Sequence, residues 1–142
     1  VLLVWGDIPF IQPKTVSIMV NHHLEQDCDF TFATRIVDQA YTVVLREKSG
    51  KVTRLIETRE KGITELQAGE RDIGLFIFRR SVILEALREE LPNKWGKSTG
   101  EHGFLYIIEH LVSQGLRVEA LPIAKEIELV SFNNMEDLSP YL

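Results

Sequence analysis

The sequence is poor in thiols, in positive charge and in long apolar runs. Among its 142 residues there is one cysteine, Cys28. No disulfide can therefore close within the chain, and such cysteine usage suits a reducing, cytoplasmic compartment. Cys28 stands between Asp27 and Asp29, two charges that raise a thiol pKa and blunt its nucleophilicity. Basic residues are outnumbered, 16 against 21 acidic, for a net charge of 16 − 21 = −5. No basic face is on offer to release counterions, which argues against a nucleic-acid partner. Apolar runs stay under ten residues, too short for a membrane span. The four histidines make no metal cluster by spacing: His22 and His23 point about 100° apart on a helix, and His102 and His110 lie two turns apart. A structural zinc site also lacks thiolates. No nucleophile elbow, Walker loop or dinucleotide fingerprint occurs.

What is present fits one globular domain over residues 1–142, with 44% apolar and 26% charged residues and enough chain for a real core. Val1–Trp5 is continuously apolar and reads as a central strand covered on both faces. The chain thus opens in the middle of a core strand, and a further segment is expected upstream. A helix follows over residues 13–26, with Pro13 at its first position. Asp29–Thr34 alternates as a second strand. Thr42–Arg46 and Val52–Glu57 flank a turn containing Gly50 and predict a hairpin. Residues 58–71 read as loop, with a short strand near Ile63–Leu66. Asp72–Phe78 is a strand, and Ser81 is expected to cap a helix through Leu91. Ser98-Thr99-Gly100-Glu101 has capping-box spacing, and places Glu101 at the third position of a helix that Gly115 ends. Arg117–Leu121 and Ile127–Val130 predict short strands, and Asn134 caps a last turn. Strand–helix alternation with one hairpin gives an α/β fold with a mixed, mostly parallel sheet.

Asp7 follows the first strand in Gly6-Asp7-Ile8-Pro9. A carboxylate at the carboxyl end of a sheet strand sits where open α/β sheets bind ligands. It suits Mg²⁺, although a turn aspartate that bonds its own backbone has the same pattern. Glu57 ends a strand and reads equally as a solvated charge. Asp72 opens a strand, as a turn residue does, and Gly74 two residues on leaves room for a ligand.

In order and spacing these elements resemble the sugar-1-phosphate nucleotidyltransferases, and among them the uridyltransferase (pyrophosphorylase) domain that makes UDP-N-acetylglucosamine. Val1–Phe10 is similar to that family's strand ending in Gly-Asp-x-Pro-Leu. Arg54-Leu55-Ile56-Glu57 is similar to its Ile-Val-Glu element after a Gly-x-Val hairpin, here Gly50-Lys51-Val52. Glu70–Phe78 matches its Glu-Ile-Asn-Thr-Gly strand, Gly100-Glu101 its Gly-Glu-Tyr-Tyr helix start, and Ser131–Leu138 its Gly-Val-Asn turn. The resemblance implies a three-layer nucleotide-diphospho-sugar transferase-like sandwich, of which this is the C-terminal portion. It implies an enzyme that joins a nucleoside triphosphate to a sugar 1-phosphate, giving the nucleotide sugar and pyrophosphate. Asp7 and Asn133 would hold Mg²⁺, with Asp7 catalytic. Tyr41, Thr42, Glu57, Asp72 and Gly74 would face the sugar.

The departures are specific. Thr42 replaces a glycine, Asp72 an asparagine, and His102-Gly103 a Tyr-Tyr pair. The family's Gly-rich nucleotide loop, which lies upstream of the Gly-Asp strand, does not occur in these residues. The chain by itself is therefore expected to be inactive, with the Val1–Trp5 strand available to itself or to a partner chain. The alternative reading is a non-catalytic module of the same fold that binds or senses a sugar nucleotide.

Overall fold

The computed structural model describes residues 1–142. A mixed sheet lies between two layers. Its strands are β1 (Leu2–Val4), β2 (Phe30–Val37), β5 (Gly69–Phe78) and β6 (Val118–Leu121), in the order β1-β5-β2-β6. β5 runs antiparallel to both β1 and β2, and β6 runs parallel to β2. Three of the four strands, β1, β2 and β6, therefore share a direction.

Alternation along the strands divides the core. Ile73, Leu75 and Ile77 of β5 face α1 (Pro13–Glu25) and bury Met19 with it. Phe76 and Phe78 face the other way, with Phe30 and Phe32 of β2. That second face is covered by α2 (Arg80–Arg88), α3 (Ile107–Ser113) and the hairpin of β3 (Thr42–Arg46) and β4 (Val52–Glu57). Each fully buried Phe contributes about 2–3 kcal/mol of apolar transfer. No helix is long and apolar enough to cross a membrane.

Several boundaries depart from expectation. β1 is an edge strand, not a central one; Leu2 is 45% and Val4 41% exposed. No strand forms at Ile63–Leu66; a 3-10 turn at Arg59–Lys61 takes the chain there instead. Ser81 lies inside α2, whose N-cap is Arg79, and the helix stops at Arg88. The capping box at Ser98–Glu101 opens no helix. Thr99 Oγ1 accepts from the Glu101 N–H at 3.2 Å, two residues on, and Gly100 turns left-handed at φ +68°. The chain doubles back, with Trp95 bridged to His102, and α3 starts only at Ile107. Ile127–Val130 is not a strand either. Glu126–Leu129 is a 3-10 turn that aims the Glu128 side chain inward. The hairpin, the stop at Gly115 and the Asn134 cap of α4 (Met135–Leu138) form as the sequence predicts.

Gly74 shows why one position tolerates no side chain. It sits at φ +78° where the β2–β5 register shifts, between the Phe32–Phe76 and Thr34–Asp72 pairs. A Cβ there would lie 2.2 Å from Trp5 Cδ1. The indole fills the space and packs edge-on against Phe76 and Phe104. The room expected for a ligand at Gly74 is thus taken by Trp5. Gly74→Ala combines left-handed strain with a clash, and is expected to cost more than about 2 kcal/mol. In a Trp5→Ala background the same substitution should cost clearly less. Urea unfolding of the four proteins measures the coupling, and additive costs would refute this account of the glycine.

Candidate functional site

Asp7 leaves β1 at the carboxyl end of the three codirectional strands. The Trp5 N–H donates to the Gly74 carbonyl at 3.0 Å, which holds the start of this turn to β5. The Phe132 N–H donates to the Asp7 carbonyl at 2.8 Å. That bond lays the Ser131–Asn133 turn beside Asp7, though 125 residues separate Asp7 from Phe132 (132 − 7). Asp137 fixes the turn from below: its carboxylate accepts from the N–H groups of Asn133 (2.8 Å) and Asn134 (3.2 Å). Asp7 is half-buried and Asn133 exposed. The side-chain oxygens in this corner are hard donors of the kind Mg²⁺ takes.

Thr42, Glu57 and Asp72 form a second group. Thr42 faces Glu57 across the β3–β4 ladder. The Thr42 hydroxyl donates to Asp72 Oδ1 at 2.5 Å, and the Gly74 N–H donates to Asp72 Oδ2 at 3.0 Å. Asp72 is buried, and burial pushes its carboxyl above the ordinary aspartate range despite these two bonds. Burial likewise raises the Glu57 carboxyl, helped by the negative charges of Glu60 and Asp72. Tyr41 lies outside this group. Its ring is exposed under the Arg71 guanidinium, 5.0 Å from the centroid. Its carbonyl accepts from the Thr58 N–H (2.9 Å) and hydroxyl (2.7 Å).

A cavity of about 790 Å³ opens beside this corner, between β4, the Arg59–Lys61 turn and the residue 91–106 segment. Of the expected site residues only Glu57 lines it, with Trp5 beside it. Its walls also carry Arg54, Arg59, Lys97 and Trp95. The sequence reading gave none of these a site role: Arg59, Trp95 and Lys97 lie on stretches that look like solvated loop, and Arg54 lies on the strand that ends in Glu57. The signal available was the run of basic residues Arg54, Arg59 and Lys61 on one side and the Trp95–Lys97 pair on the other.

No protein-family model matches the sequence. It is 29% identical over 141 residues to the bifunctional protein GlmU of Acetivibrio thermocellus, across 98% of this chain and 30% of that protein. It is 33% identical over 120 residues to GlmU of Clostridium tetani, across 83% of this chain and 26% of the relative. The chain thus spans about a third of the length of these curated relatives. Among solved structures it superposes on a nucleoside-diphosphate-sugar pyrophosphorylase from Vibrio cholerae RC9. The TM-score is 0.59 at 20% identity, over 94% of this chain and 50% of that one. The chain shares that protein's fold. The α/β three-layer arrangement expected from the sequence is therefore present, with β5 as its antiparallel member.

Asp72 supplies a stability test. Its folded pKa is raised, so its contribution is greatest below the unfolded value and is lost as pH rises through the folded one. An asparagine can keep both bonds, accepting from the Gly74 N–H and donating to the Thr42 hydroxyl. Asp72→Asn is thus expected to raise the urea midpoint at neutral pH. The gain should shrink as pH falls through the ordinary aspartate range. A gain that does not vary with pH would contradict the buried-charge account.

Proposed function

We propose that this chain is the sugar- and metal-binding half of a nucleotidyltransferase. The reaction is transfer of a nucleotidyl group from a nucleoside triphosphate, UTP in this reading, to a sugar 1-phosphate such as N-acetylglucosamine 1-phosphate. The products are the nucleotide sugar and pyrophosphate. The observation that carries this reading is the 2.8 Å bond from the Phe132 N–H to the Asp7 carbonyl, which brings two remote oxygen-bearing residues, Asp7 and Asn133, into one corner. Similarity to GlmU proteins and the pyrophosphorylase fold support it.

In this proposal Asp7 and Asn133 hold Mg²⁺ through a carboxylate and an amide oxygen, a donor set that fits a hard cation. The ion, when bound, neutralises phosphate charge during an in-line displacement. The chain's own residues position the substrate. Glu57, half-buried at the end of β4, accepts from sugar hydroxyls. The Thr42 hydroxyl orients Asp72 and narrows the space that a glycine would leave. Tyr41, stacked under Arg71, and Gly74, covered by Trp5, stand apart from this group, so the contacts to the sugar that the family resemblance implies for them are not part of the proposal. No protein nucleophile is required, because such catalysis is positioning and electrostatics. The unpaired outer edge of β1, with Leu2 and Val4 exposed, is where another strand extends the sheet, from the same polypeptide or a partner chain.

One observation favours a binding module over an enzyme. Both Asp72 oxygens are engaged internally, by Thr42 and Gly74, so less of this group faces a ligand. Calorimetry with UDP-N-acetylglucosamine separates the two readings. The enzyme reading expects Mg²⁺-dependent binding, weakened at least about tenfold by Asp7→Ala and by Glu57→Gln, a loss of about 1.4 kcal/mol each. Binding that ignores Mg²⁺ and Asp7→Ala points to the module. Pyrophosphate release by the full-length protein completes the test.

A further inference from the structure

At the other end of the sheet, away from Asp7 and Asn133, three unlike side chains converge. His22 comes from the last turn of α1, Cys28 from the residue before Asp29 at the start of β2, and Glu119 from the start of β6. One imidazole nitrogen, the Cys28 sulfur and one Glu119 carboxylate oxygen all lie within 4.8 Å of one another. Spacing along the sequence hides this, because Glu119 is 91 residues from Cys28 (119 − 28). It arises because β6 pairs parallel with β2, setting Glu119 level with Thr31.

A second observation points to a ligand. His22 Nε2 is buried and has no hydrogen-bond partner. Buried polar atoms are nearly always satisfied, so an orphan at a His/Cys/Glu cluster calls for a missing partner. His23, its neighbour, has no such need, since its Nδ1 meets the Thr31 hydroxyl at 2.8 Å.

We propose that His22, Cys28 and Glu119 form a three-ligand site for a borderline-soft divalent metal ion, of which Zn²⁺ is the fitting example. The donor set decides the class. A thiolate and an imidazole select zinc or a related transition ion, whereas Mg²⁺ and Ca²⁺ require oxygen cages. Bond lengths of about 2.0–2.3 Å put tetrahedral ligand atoms about 3.3–3.8 Å apart, so the three atoms, within 4.8 Å of one another, need to close by about 1.5 Å at most. Water takes the fourth position.

The supporting contacts are already built. Arg117 Nε donates to Glu119 Oε1 at 3.1 Å, and Arg117 Nη2 donates to Gln26 Oε1 at 3.1 Å. This pair orients the carboxylate in the way that outer partners orient metal ligands. Around Cys28 the backbone is pinned on both sides. Its N–H donates to the His23 carbonyl at 2.9 Å, and its carbonyl accepts from Arg79 Nε at 3.2 Å. Burial pushes the Cys28 thiol above its ordinary value, with Glu119 and Asp29 adding to the rise while Thr31 and Arg117 oppose it. Burial is thus the leading cause, ahead of the flanking aspartates that the sequence suggested. The ion would clip the end of α1 to the starts of β2 and β6.

The test is titration of the metal-free, full-length protein with Zn²⁺ alone and with Co²⁺ alone, in reducing buffer. One equivalent of Zn²⁺ is expected to bind and to raise Tm, and excess Mg²⁺ should not displace it. Co²⁺ should give four-coordinate visible bands and a thiolate charge-transfer band in the near ultraviolet. Cys28→Ala should abolish the charge-transfer band. His22→Gln and Glu119→Gln, at half-exposed positions, should each weaken binding by at least about tenfold. Circular dichroism checks that each variant is folded, and the two half-exposed variants keep the test valid if Cys28→Ala is not. Failure to bind either ion, a Co²⁺ complex without the thiolate band, or unchanged affinity in His22→Gln and Glu119→Gln would each overturn the proposal. The outcome does not depend on sugar-nucleotide binding at the opposite end.

Discussion

A single buried carboxylate holds the two ends of the chain in the arrangement that everything at Asp7 depends on. Glu128 is fully buried, and its oxygens accept from the Gln12 N–H (2.8 Å), the Thr15 hydroxyl (2.9 Å) and the Lys125 N–H (2.8 Å). Gln12 is the N-cap of α1 and makes no side-chain cap of its own. A carboxylate 116 residues away therefore supplies the cap, at the helix end where negative charge is favoured. Leaving a buried acceptor without its donors costs about 1–3 kcal/mol, so this contact is expensive to break. By fixing residues 125–129 against the start of α1, Glu128 fixes where residues 131–133 emerge. The Phe132–Asp7 bond then follows over a short span of chain.

A steric constraint complements this electrostatic one. Trp5 occupies the volume that any side chain at residue 74 would need. The left-handed backbone at Gly74 sets the register shift of β5, and that shift brings the Gly74 N–H onto Asp72. Asp72 in turn holds the Thr42 hydroxyl, opposite Glu57 on the hairpin. The chain of dependence runs from the Trp5 ring beside the cavity to the orientation of the buried Asp72 and the half-buried Thr42 and Glu57.

Local chemistry made some of this legible in the sequence and long-range pairing hid the rest. Pro13, the Gly50 turn and Asn134 act on their nearest neighbours, and each formed where its type predicts. Ser98–Glu101 failed because its short-range signal is ambiguous. The Thr99 hydroxyl can cap a helix or close a turn two residues on, and left-handed Gly100 selects the turn. Ile127–Val130 failed because its alternation reflects one buried glutamate rather than a sheet face. The edge position of β1 could not be read from its apolar run, since burial on both faces and exposure at an edge share that pattern. The family resemblance singled out Asp7 and Asn133, and Thr42, Glu57 and Asp72; the fold sets the first pair on adjoining turns and gathers the other three at the β3–β4 hairpin, as two separate groups. The cavity was not legible, because Trp95 and Lys97 reach it only through the fold.

The acidic composition also changes meaning once charges are placed. A net charge of −5 over the chain suggests poor affinity for phosphates. Charges in water are screened over about 8 Å at physiological salt, so a bound anion responds to its neighbours and not to the total. Around the cavity, Arg54, Arg59, Lys61 and Lys97 stand against Glu57, Glu60, Glu101 and Glu109. Four basic groups against four acidic ones leave the lining neutral with its histidines uncharged. The excess of negative charge must then lie elsewhere on the surface. The net charge of the chain therefore does not set the charge at the cavity, where basic and acidic groups are evenly matched.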